Sequence, residues 1–298
     1  MHYKQTDSPR ITKAVIPAAG KGTRLLPATK AQPKEMLPVV DKPVIQYVVE
    51  EAVASGIRDI LIIIAPGKET LQRHFAPESR FKQFLQEKSN SRSRLIAHLP
   101  AGKARIHFAY QNYPRGLGDA IRCAEEFVAN EPFAVLLGDT IITTHRLPLT
   151  RQLMDIYAEY HSPVAALEKV LPALAHRYGI FRGEKITGNL FQAVSLEEKP
   201  RQHIRSPMAV AGRYILTPDI FHYLKNLRKG VNHEIQLTDA LRFQAASRRL
   251  LGLLFEGTRY DVGNRLDFLK TNILFGMEHP ETGKELRKWL SNLTRRKT

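Results

Sequence analysis

Residues 13–43 read KAVIPAAGKGTRLLPATKAQPKEMLPVVDKP, and the rest of the chain is best interpreted from this stretch. A short apolar run, Ala14 to Ile16, leads into the glycine-rich loop Gly20 to Arg24, and a further cation, Lys34, follows. Glycines let backbone N–H groups approach an anion closely, while Arg and Lys supply full charges that backbone dipoles cannot. The stretch therefore predicts a polyphosphate site, and the chain is expected to handle a nucleotide.

Two common phosphate motifs are excluded. The pattern GxxxxGK[ST] of a P-loop is absent, and Leu25 stands where the dinucleotide fingerprint has its third glycine. A tight turn after a first strand is a simpler reading of the glycines alone. The continuation from Pro33 to Pro38 favours a site, because a turn needs no lysine held between prolines further along the chain.

Further motifs resemble a known family. The opening stretch is similar to the signature of the nucleoside-triphosphate:sugar-1-phosphate nucleotidyltransferases, and other motifs of that family recur along the chain in its order. These are Gly116-Leu117-Gly118, Tyr178-Gly179-Ile180, Glu198-Lys199-Pro200, Gly212-Arg213-Tyr214, Glu234 to Asp239, and Asp261-Val262-Gly263-Asn264. Within the family they most resemble the bacterial UTP:glucose-1-phosphate uridylyltransferases. The resemblance implies UTP and glucose-1-phosphate as substrates, Mg²⁺ as cofactor, and a homo-oligomer, dimer or tetramer.

Composition indicates an ordinary globular chain. Its 298 residues, 43% hydrophobic and 25% charged, can bury one large core or two modest ones. The polar start MHYKQTDSPR and the short apolar runs Ile60 to Ala65 and Leu250 to Phe255 predict neither secretion nor membrane insertion. Cys123 is the only cysteine, which excludes a disulfide framework within the chain and fits a reducing, cytoplasmic location.

The net charge of +16 is unusual. Ten of the 45 basic residues lie between Lys68 and Arg115, and the chain ends near Arg295-Arg296-Lys297. Such patches can contact nucleic acid or anionic lipid. Because no nucleic-acid motif accompanies the charge, a solvated basic surface that draws in anionic substrates is the favoured interpretation, and nucleic acid is not an expected partner.

Alternating strand and helix patterns predict the fold. We expect a Rossmann-like, mostly parallel α/β sheet flanked by helices. From about Arg182 to Thr217 the pattern changes to strands separated by turns, which predicts a smaller mixed β lobe on the sugar side. The whole chain, 1–298, is expected to form one domain, with a nucleotide-side sheet (about 11–180), the sugar-side lobe and returning helices (about 181–275) and a basic C-terminal helix (276–298). The predicted strands are Ala14–Ile16, Ile60–Ala65, Ile106–Tyr110 and Phe133–Leu137; the predicted helices are Val44–Ser55, Lys68–Phe75 and Asp119–Ala129.

Two aspartates are candidate metal ligands. Ligands of such sheets bind beyond the carboxyl ends of the strands, and Gly138-Asp139 follows the predicted strand Phe133–Leu137. Asp261 comes after the strand-like run Leu250–Phe255 and precedes Gly263. Mg²⁺ prefers one or two carboxylates together with phosphate oxygens. A turn or capping role is the alternative for each aspartate alone, and the family resemblance favours a shared ion.

The resemblance also implies the remaining site residues. It places the triphosphate on Ala19, Gly20, Gly22 and Thr23, with Arg24, Lys34 and Lys199 as the catalytic cations. Base recognition is assigned to Gln111 and Gly116, whose simpler reading is a polar helix entry. Sugar recognition is assigned to Gly179, Glu198 and Lys199, although an exposed Glu/Lys pair at a strand end is common.

Glu234 to Asp239 is interpreted as a helix start with capping side chains, outside the catalytic set. No HxxxH or HExxH pattern occurs among the eleven histidines, so no zinc site is predicted.

One departure from the family pattern leaves alternatives open. Gly138-Asp139-Thr140 stands where these uridylyltransferases usually read Pro-Asp-Asp, and it resembles the related thymidylyltransferases; His233 also replaces a small residue before Glu234. A sister enzyme that uses dTTP or another hexose-1-phosphate is the first alternative. A catalytically weak regulator or basic binding protein is the second, and the intact set of cations and aspartates argues against it.

Overall fold

The computed structural model describes residues 10–76, 103–202, 204–205, 207–228, 230, 233–247 and 249–295. Most of the basic stretch within Lys68 to Arg115 lies outside these residues, as do Arg296 and Lys297 at the basic C-terminus.

Thirteen strands occur in the described residues. They are β1 Lys13–Pro17, β2 Pro38–Val39, β3 Lys42–Pro43, β4 Asp59–Ile64, β5 Arg105–Tyr110, β6 Phe133–Leu136, β7 Thr140–Thr144, β8 Val164–Lys169, β9 Gly179–Thr187, β10 Leu190–Glu198, β11 Met208–Leu216, β12 Leu251–Leu254 and β13 Gly257–Asp261. Nine of them form the main sheet, in the order β5-β4-β1-β6-β11-β8-β12-β10-β9. The other four form two smaller antiparallel pairs, β2 with β3 and β7 with β13.

The N-terminal half of the sheet is parallel, as predicted. β1 pairs in parallel with β4 and β6, and β4 pairs in parallel with β5. The run DILIII of β4 has five consecutive buried residues, which suits a strand covered on both faces.

The sheet as a whole is mixed, so the prediction of a mostly parallel Rossmann-like sheet is confirmed only in part. Beyond this half β12 still pairs in parallel with β8, but antiparallel pairings predominate. β11 lies between β6 and β8 and is antiparallel to both, and β9 and β10 form an antiparallel hairpin at the far edge. The strands expected to build a smaller lobe are therefore continuous with the main sheet. β11 takes a central place because nearly all of its side chains are buried. Its apolar run fits a strand but does not specify its neighbours.

Helices cover both faces of the sheet. Alternate residues of one strand point to opposite faces, so Ile62 and Ile63 of β4 pack in two different hydrophobic clusters, one on each face of the sheet. The predicted helix Asp119–Ala129 is interrupted at Cys123 and Ala124. The helices are α1 Val44–Ala54, α2 Thr70–Phe75, α3 Leu117–Arg122, α4 Glu125–Val128, α5 Leu149–Tyr160, α6 Ile220–Asn226, α7 Leu237–Ala246, α8 Arg265–Glu278 and α9 Gly283–Arg295. Within the described ranges, none of them is long and apolar enough to cross a membrane.

A buried ion pair connects α1 to the sheet. Arg213 is fully buried and donates to Glu51 from Nε at 3.0 Å and from Nη2 at 2.8 Å. The same Nη2 donates to the carbonyl of Thr140 at 2.8 Å, and the Thr150 hydroxyl donates to Glu51 at 2.7 Å. The pair therefore holds β7, and with it the chain that follows Asp139, against α1.

The β7–β13 ribbon places Asp261. Asp261 is the last residue of β13 and lies opposite Thr140. It comes after the run Leu250–Phe255, as expected, but it belongs to a separate strand, β13. Antiparallel pairing with β7 brings it beside Asp139.

Candidate active site

A cleft of about 710 Å³ opens at the carboxyl ends of β1 and β6. It contains every residue that the sequence predicted for the site. These are Ala19, Gly20, Gly22, Thr23, Arg24, Lys34, Gln111, Gly116, Asp139, Gly179, Glu198, Lys199 and Asp261.

The glycine-rich loop folds back on itself where it lines the cleft. Gly22 has a φ of 68°, in the left-handed region that favours glycine, and the Thr29 hydroxyl donates to its carbonyl at 2.8 Å. A Cβ on Gly20 would lie 3.6 Å from the Nζ of Lys34. The loop backbone and the lysine ammonium therefore face the same small volume, as a polyphosphate cradle requires.

Lys34 forms an ion pair with Asp139 across the cleft floor. Burial lowers the pKa of Lys34, but the carboxylates of Asp139 and Glu35 outweigh it, and the net shift is upward. Burial also raises the pKa of Asp139, yet the Lys34 ammonium outweighs this and holds the pKa below its ordinary value. Both groups are thus kept charged in the cleft.

Behind this pair lies a second, more deeply buried one that the sequence reasoning missed. Glu35 is 1% exposed and accepts from the Nζ of Lys68 at 2.9 Å, and the same ammonium donates to the carbonyl of Ala18 at 2.5 Å. Burial raises the pKa of Glu35 and lowers that of Lys68 despite their attraction. Lys68 therefore ties the start of the glycine-rich loop to the residue next to Lys34.

The two candidate metal ligands converge. The Val262 amide donates to the carbonyl of Asp139 at 3.2 Å, and the Gly263 amide donates to Asp261 Oδ1 at 2.9 Å. A Cβ on Gly263 would lie 2.9 Å from a carboxylate oxygen of Asp261 and 3.7 Å from one of Asp139. Two hard carboxylates facing a residue without a side chain fit a divalent ion that also binds phosphate oxygens. In the described part of the chain, no group of three or more His, Cys, Asp or Glu residues forms a metal site.

Arg259 supports this region and was also missed. It forms an ion pair with Glu168, lies 3.7 Å from Asp261 Oδ2 and stacks 4.8 Å from the ring centre of Tyr178. Burial lowers the pKa of Arg259, but the Glu168 carboxylate outweighs it, so the pKa is raised and the charge is retained.

At the predicted base end, Gln111 directly follows β5. Its Nε2 donates to the Gly116 carbonyl at 3.1 Å and to Asp119 Oδ2 at 2.9 Å. Gly116 has a φ of 106°, and a Cβ there would lie 2.6 Å from the carbonyl oxygen of Ile235. Glycine is therefore required for the chain to approach Ile235 at this point.

At the predicted sugar end, Glu198 closes β10 and has two partners. The Thr238 hydroxyl donates to its Oε2 at 2.7 Å, and the Nζ of Lys199 lies 3.2 Å from its Oε1. A Cβ on Gly179 would lie 2.8 Å from the Thr238 hydroxyl, so a larger residue would separate these groups.

The helix start predicted within Glu234 to Asp239 is confirmed, since α7 begins at Leu237 and carries Asp239 in its first turn. The capping role is not confirmed, because the residue before the helix, Gln236, makes no side-chain capping hydrogen bond. Glu234, Gln236 and Thr238 line the cleft instead. The family motif that spans these residues was the signal that could have placed them there.

The cleft lies on a mixed sheet and combines a glycine-rich loop, several cations and two aspartates. This combination defines a class of enzyme that transfers nucleotidyl groups. The sequence profile described as nucleotidyl transferase matches residues 13–275, and the chain belongs to that family. It is 45% identical over 290 residues to the UTP–glucose-1-phosphate uridylyltransferase YngB of Bacillus subtilis (strain 168), covering 97% of each chain. It is 42% identical over 285 residues to the enzyme of the same description in Staphylococcus epidermidis, covering 95% of this chain and 99% of that one.

The fold is also similar to that of solved UDP-glucose pyrophosphorylase structures. A UDP-glucose pyrophosphorylase complexed with UDP-glucose has 37% identity and a TM-score of 0.82, covering 90% of this chain and 100% of that one. A UTP-bound UDP-glucose pyrophosphorylase from Acinetobacter baumannii has 31% identity and a TM-score of 0.84, covering 95% and 99%.

Proposed function

We propose that this chain transfers the uridylyl group of UTP to glucose-1-phosphate, giving UDP-glucose and pyrophosphate. The observation that carries the proposal is that one cleft is lined by the glycine-rich loop, Lys34, Asp139, Glu198 and Lys199 together. Full-length relatives at 42–45% identity described as uridylyltransferases support the choice of substrates.

The reaction brings two anions together, and the cations of the cleft offset their repulsion. A phosphate oxygen of glucose-1-phosphate forms a bond to the α-phosphorus of UTP, while the bond to the β-phosphate oxygen breaks and pyrophosphate leaves. Arg24 and the amides of Gly20 and Gly22 hold the departing phosphates. Lys34 neutralises charge near the α-phosphate, and Lys199 holds the attacking phosphate in line.

Binding at the two ends of the cleft selects the substrates. Ala19 and Thr23 contact the nucleotide, while Gln111 and Gly116 read the uracil. At the other end Glu198 accepts hydrogen bonds from sugar hydroxyls, and Gly179 lets the sugar approach the backbone.

We propose Mg²⁺ as the resident ion, held by Asp139 and Asp261. When bound, Mg²⁺ would neutralise phosphate charge. The two carboxylates that face Gly263 support this assignment.

The proposal extends to the organisation of the protein. One nucleotidyltransferase domain spans 1–298, with the nucleotide-side sheet (about 11–180), the sugar-side part (about 181–275) and the C-terminal helix region (276–298); the continuous nine-stranded sheet supports a single unit. The family resemblance supports a homo-oligomeric state, dimer or tetramer, and the single cysteine supports a cytoplasmic location.

A pyrophosphate-release screen tests the function. UTP, dTTP, CTP, ATP and GTP are each combined with several hexose-1-phosphates and Mg²⁺, and UTP with glucose-1-phosphate is expected to react fastest. A clear preference for dTTP or another sugar would identify a sister enzyme. No release from any triphosphate, with gel-shift binding to nucleic acid that persists at physiological salt, would instead support a basic binding protein.

Lys199→Ala tests the mechanism. It is expected to raise the KM for glucose-1-phosphate and to lower kcat sharply, because the attacking phosphate loses its cation. Lys185→Ala is the matched control, since Lys185 is an exposed lysine on β9 outside the cleft. Near-wild-type kinetics of Lys199→Ala would contradict the assignment.

A further inference from the structure

The amide of Gln111 is fixed by two acceptors. Its Nε2 donates to the Gly116 carbonyl at 3.1 Å and to the Asp119 carboxylate at 2.9 Å. A carbonyl and an ionised carboxylate can only accept, so a flipped amide would place its own oxygen against both of them. Gln111 is 5% exposed, and an unpaired buried polar group is costly. The hydrogen-bond pattern therefore sets the amide in one orientation.

This orientation leaves Oε1 as the free atom of the side chain. Gln111 lines the cleft, and among the hydrogen bonds of the described residues none is donated to its Oε1. Asp119 is not among the cleft-lining residues; it lies in the first turn of α3 behind Gln111. Asp119 is thus a positioning residue that acts through Gln111.

We infer that Asp119 sets base selectivity by making Gln111 present an acceptor, and not a donor, to the nucleotide base. The inference rests on the proposed function. Uracil carries an N–H donor at ring position 3, in the middle of its pairing edge, whereas cytosine carries an acceptor there. A fixed acceptor in the site accepts a hydrogen bond from the N3–H of uracil. With cytosine, the same acceptor faces another acceptor and no hydrogen bond forms.

Thymine has the same N3–H as uracil, so this device accepts UTP and dTTP alike and rejects CTP. Discrimination between uracil and thymine, which differ by one methyl group, must then come from another part of the cleft. This difference supplies an internal control, because changing Asp119 should alter the UTP/CTP ratio and leave the UTP/dTTP ratio unchanged.

The test measures kcat/KM for UTP, dTTP and CTP at saturating glucose-1-phosphate. Asp119→Leu has similar bulk but no acceptor, and Asp119→Ala removes the acceptor without added bulk. Either change removes the charged acceptor and leaves only the Gly116 carbonyl to orient the amide. The flipped orientation then costs less, and the UTP/CTP ratio is expected to fall by about 10-fold or more. Asp119→Asn keeps an oxygen that can accept from Nε2 and should retain most of the discrimination.

Arg122→Ala is the control for charge on α3, because Arg122 lies 3.5 Å from Asp119 Oδ1 and does not line the cleft. It should keep the wild-type ratio. A UTP/CTP ratio in Asp119→Ala equal to that of the wild type would overturn the inference, and so would a wild-type enzyme that uses CTP as well as UTP.

Equilibrium binding of UDP and CDP separates this inference from the proposed function. A wild-type chain that makes no UDP-glucose would refute the function. Tighter binding of UDP than of CDP, reduced in Asp119→Ala, would support the role of Asp119 in either case, whereas equal binding of the two would refute it.

Discussion

The Thr238→Val substitution removes one hydroxyl and almost no volume. Thr238 is 8% exposed, and its hydroxyl donates to Glu198 Oε2 at 2.7 Å. The other oxygen of Glu198 faces the ammonium of Lys199 at 3.2 Å. Without the hydroxyl, the carboxylate loses the partner that opposes this attraction, and it is expected to turn towards Lys199 and away from the sugar.

The size of the effect follows from the kind of hydrogen bond. A hydrogen bond to a charged group contributes about 1.5–3 kcal/mol. Since about 1.4 kcal/mol corresponds to a factor of ten, kcat/KM for glucose-1-phosphate should fall about 10- to 100-fold. The change should be mainly in the KM for glucose-1-phosphate. The KM for UTP should stay close to the wild-type value, because the hydroxyl of Thr238 bonds to Glu198 and to no residue of the glycine-rich loop among the described hydrogen bonds.

Steady-state kinetics with each substrate varied in turn provide the assay. Thr238→Ser is the matched control, because it keeps the hydroxyl and should restore most of the activity. A double-mutant cycle with Glu198→Ala adds a sharper test: if Thr238 acts only through Glu198, the double variant should be no worse than Glu198→Ala alone. Kinetics of Thr238→Val within twofold of the wild type, or additive losses in the cycle, would refute the reasoning.

Three further predictions concern buried or partly buried charges. Glu51→Gln leaves the fully buried Arg213 without its counter-charge, so urea unfolding should show a loss of about 3–5 kcal/mol; a loss below about 1 kcal/mol would contradict this. Hydrogen bonds from Arg105 hold the pKa of Asp59 below its ordinary value of 3.8. The ionised Asp59 therefore stabilises the folded protein above pH 3.8, and this stabilisation is lost as the pH falls through the lower pKa of the folded state. The difference in unfolding free energy between wild type and Asp59→Asn should therefore shrink between about pH 4 and pH 2, and a constant difference would count against it. Lys68→Met breaks the buried ion pair with Glu35 behind the glycine-rich loop, so the KM for UTP should rise about tenfold in the folded variant. Lys68→Arg keeps the charge and should be less affected. Unchanged UTP kinetics in Lys68→Met would show that the loop does not depend on this pair.

The glycine-rich loop and the first strands were readable from sequence because their causes are local. Gly22 has a positive φ, and the apolar run of β4 is buried on both faces, so residue type and short spacing suffice. The position of Asp139 after β6 was found in the same way. The family motifs then named the remaining cleft residues.

Strand order was not readable in this way. The apolar pattern of β11 fits a strand, but its place between β6 and β8 depends on which long-range pairings bury the most surface. Asp261 is similar: its place beside Asp139 comes from the pairing of β13 with β7.

The sequence by itself determined that the chain carries an anion-binding loop after its first strand and a run of motifs typical of nucleotidyltransferases. The tertiary structure decided which neighbouring groups orient the loop and the side chains of these motifs. Asp119 fixes the amide of Gln111, Thr238 holds Glu198, and Lys68 braces the loop beside Lys34. The reason is physical: a turn or a strand is specified by neighbouring residues, whereas the direction of a side-chain hydrogen bond depends on atoms that only the folded chain brings within 3 Å.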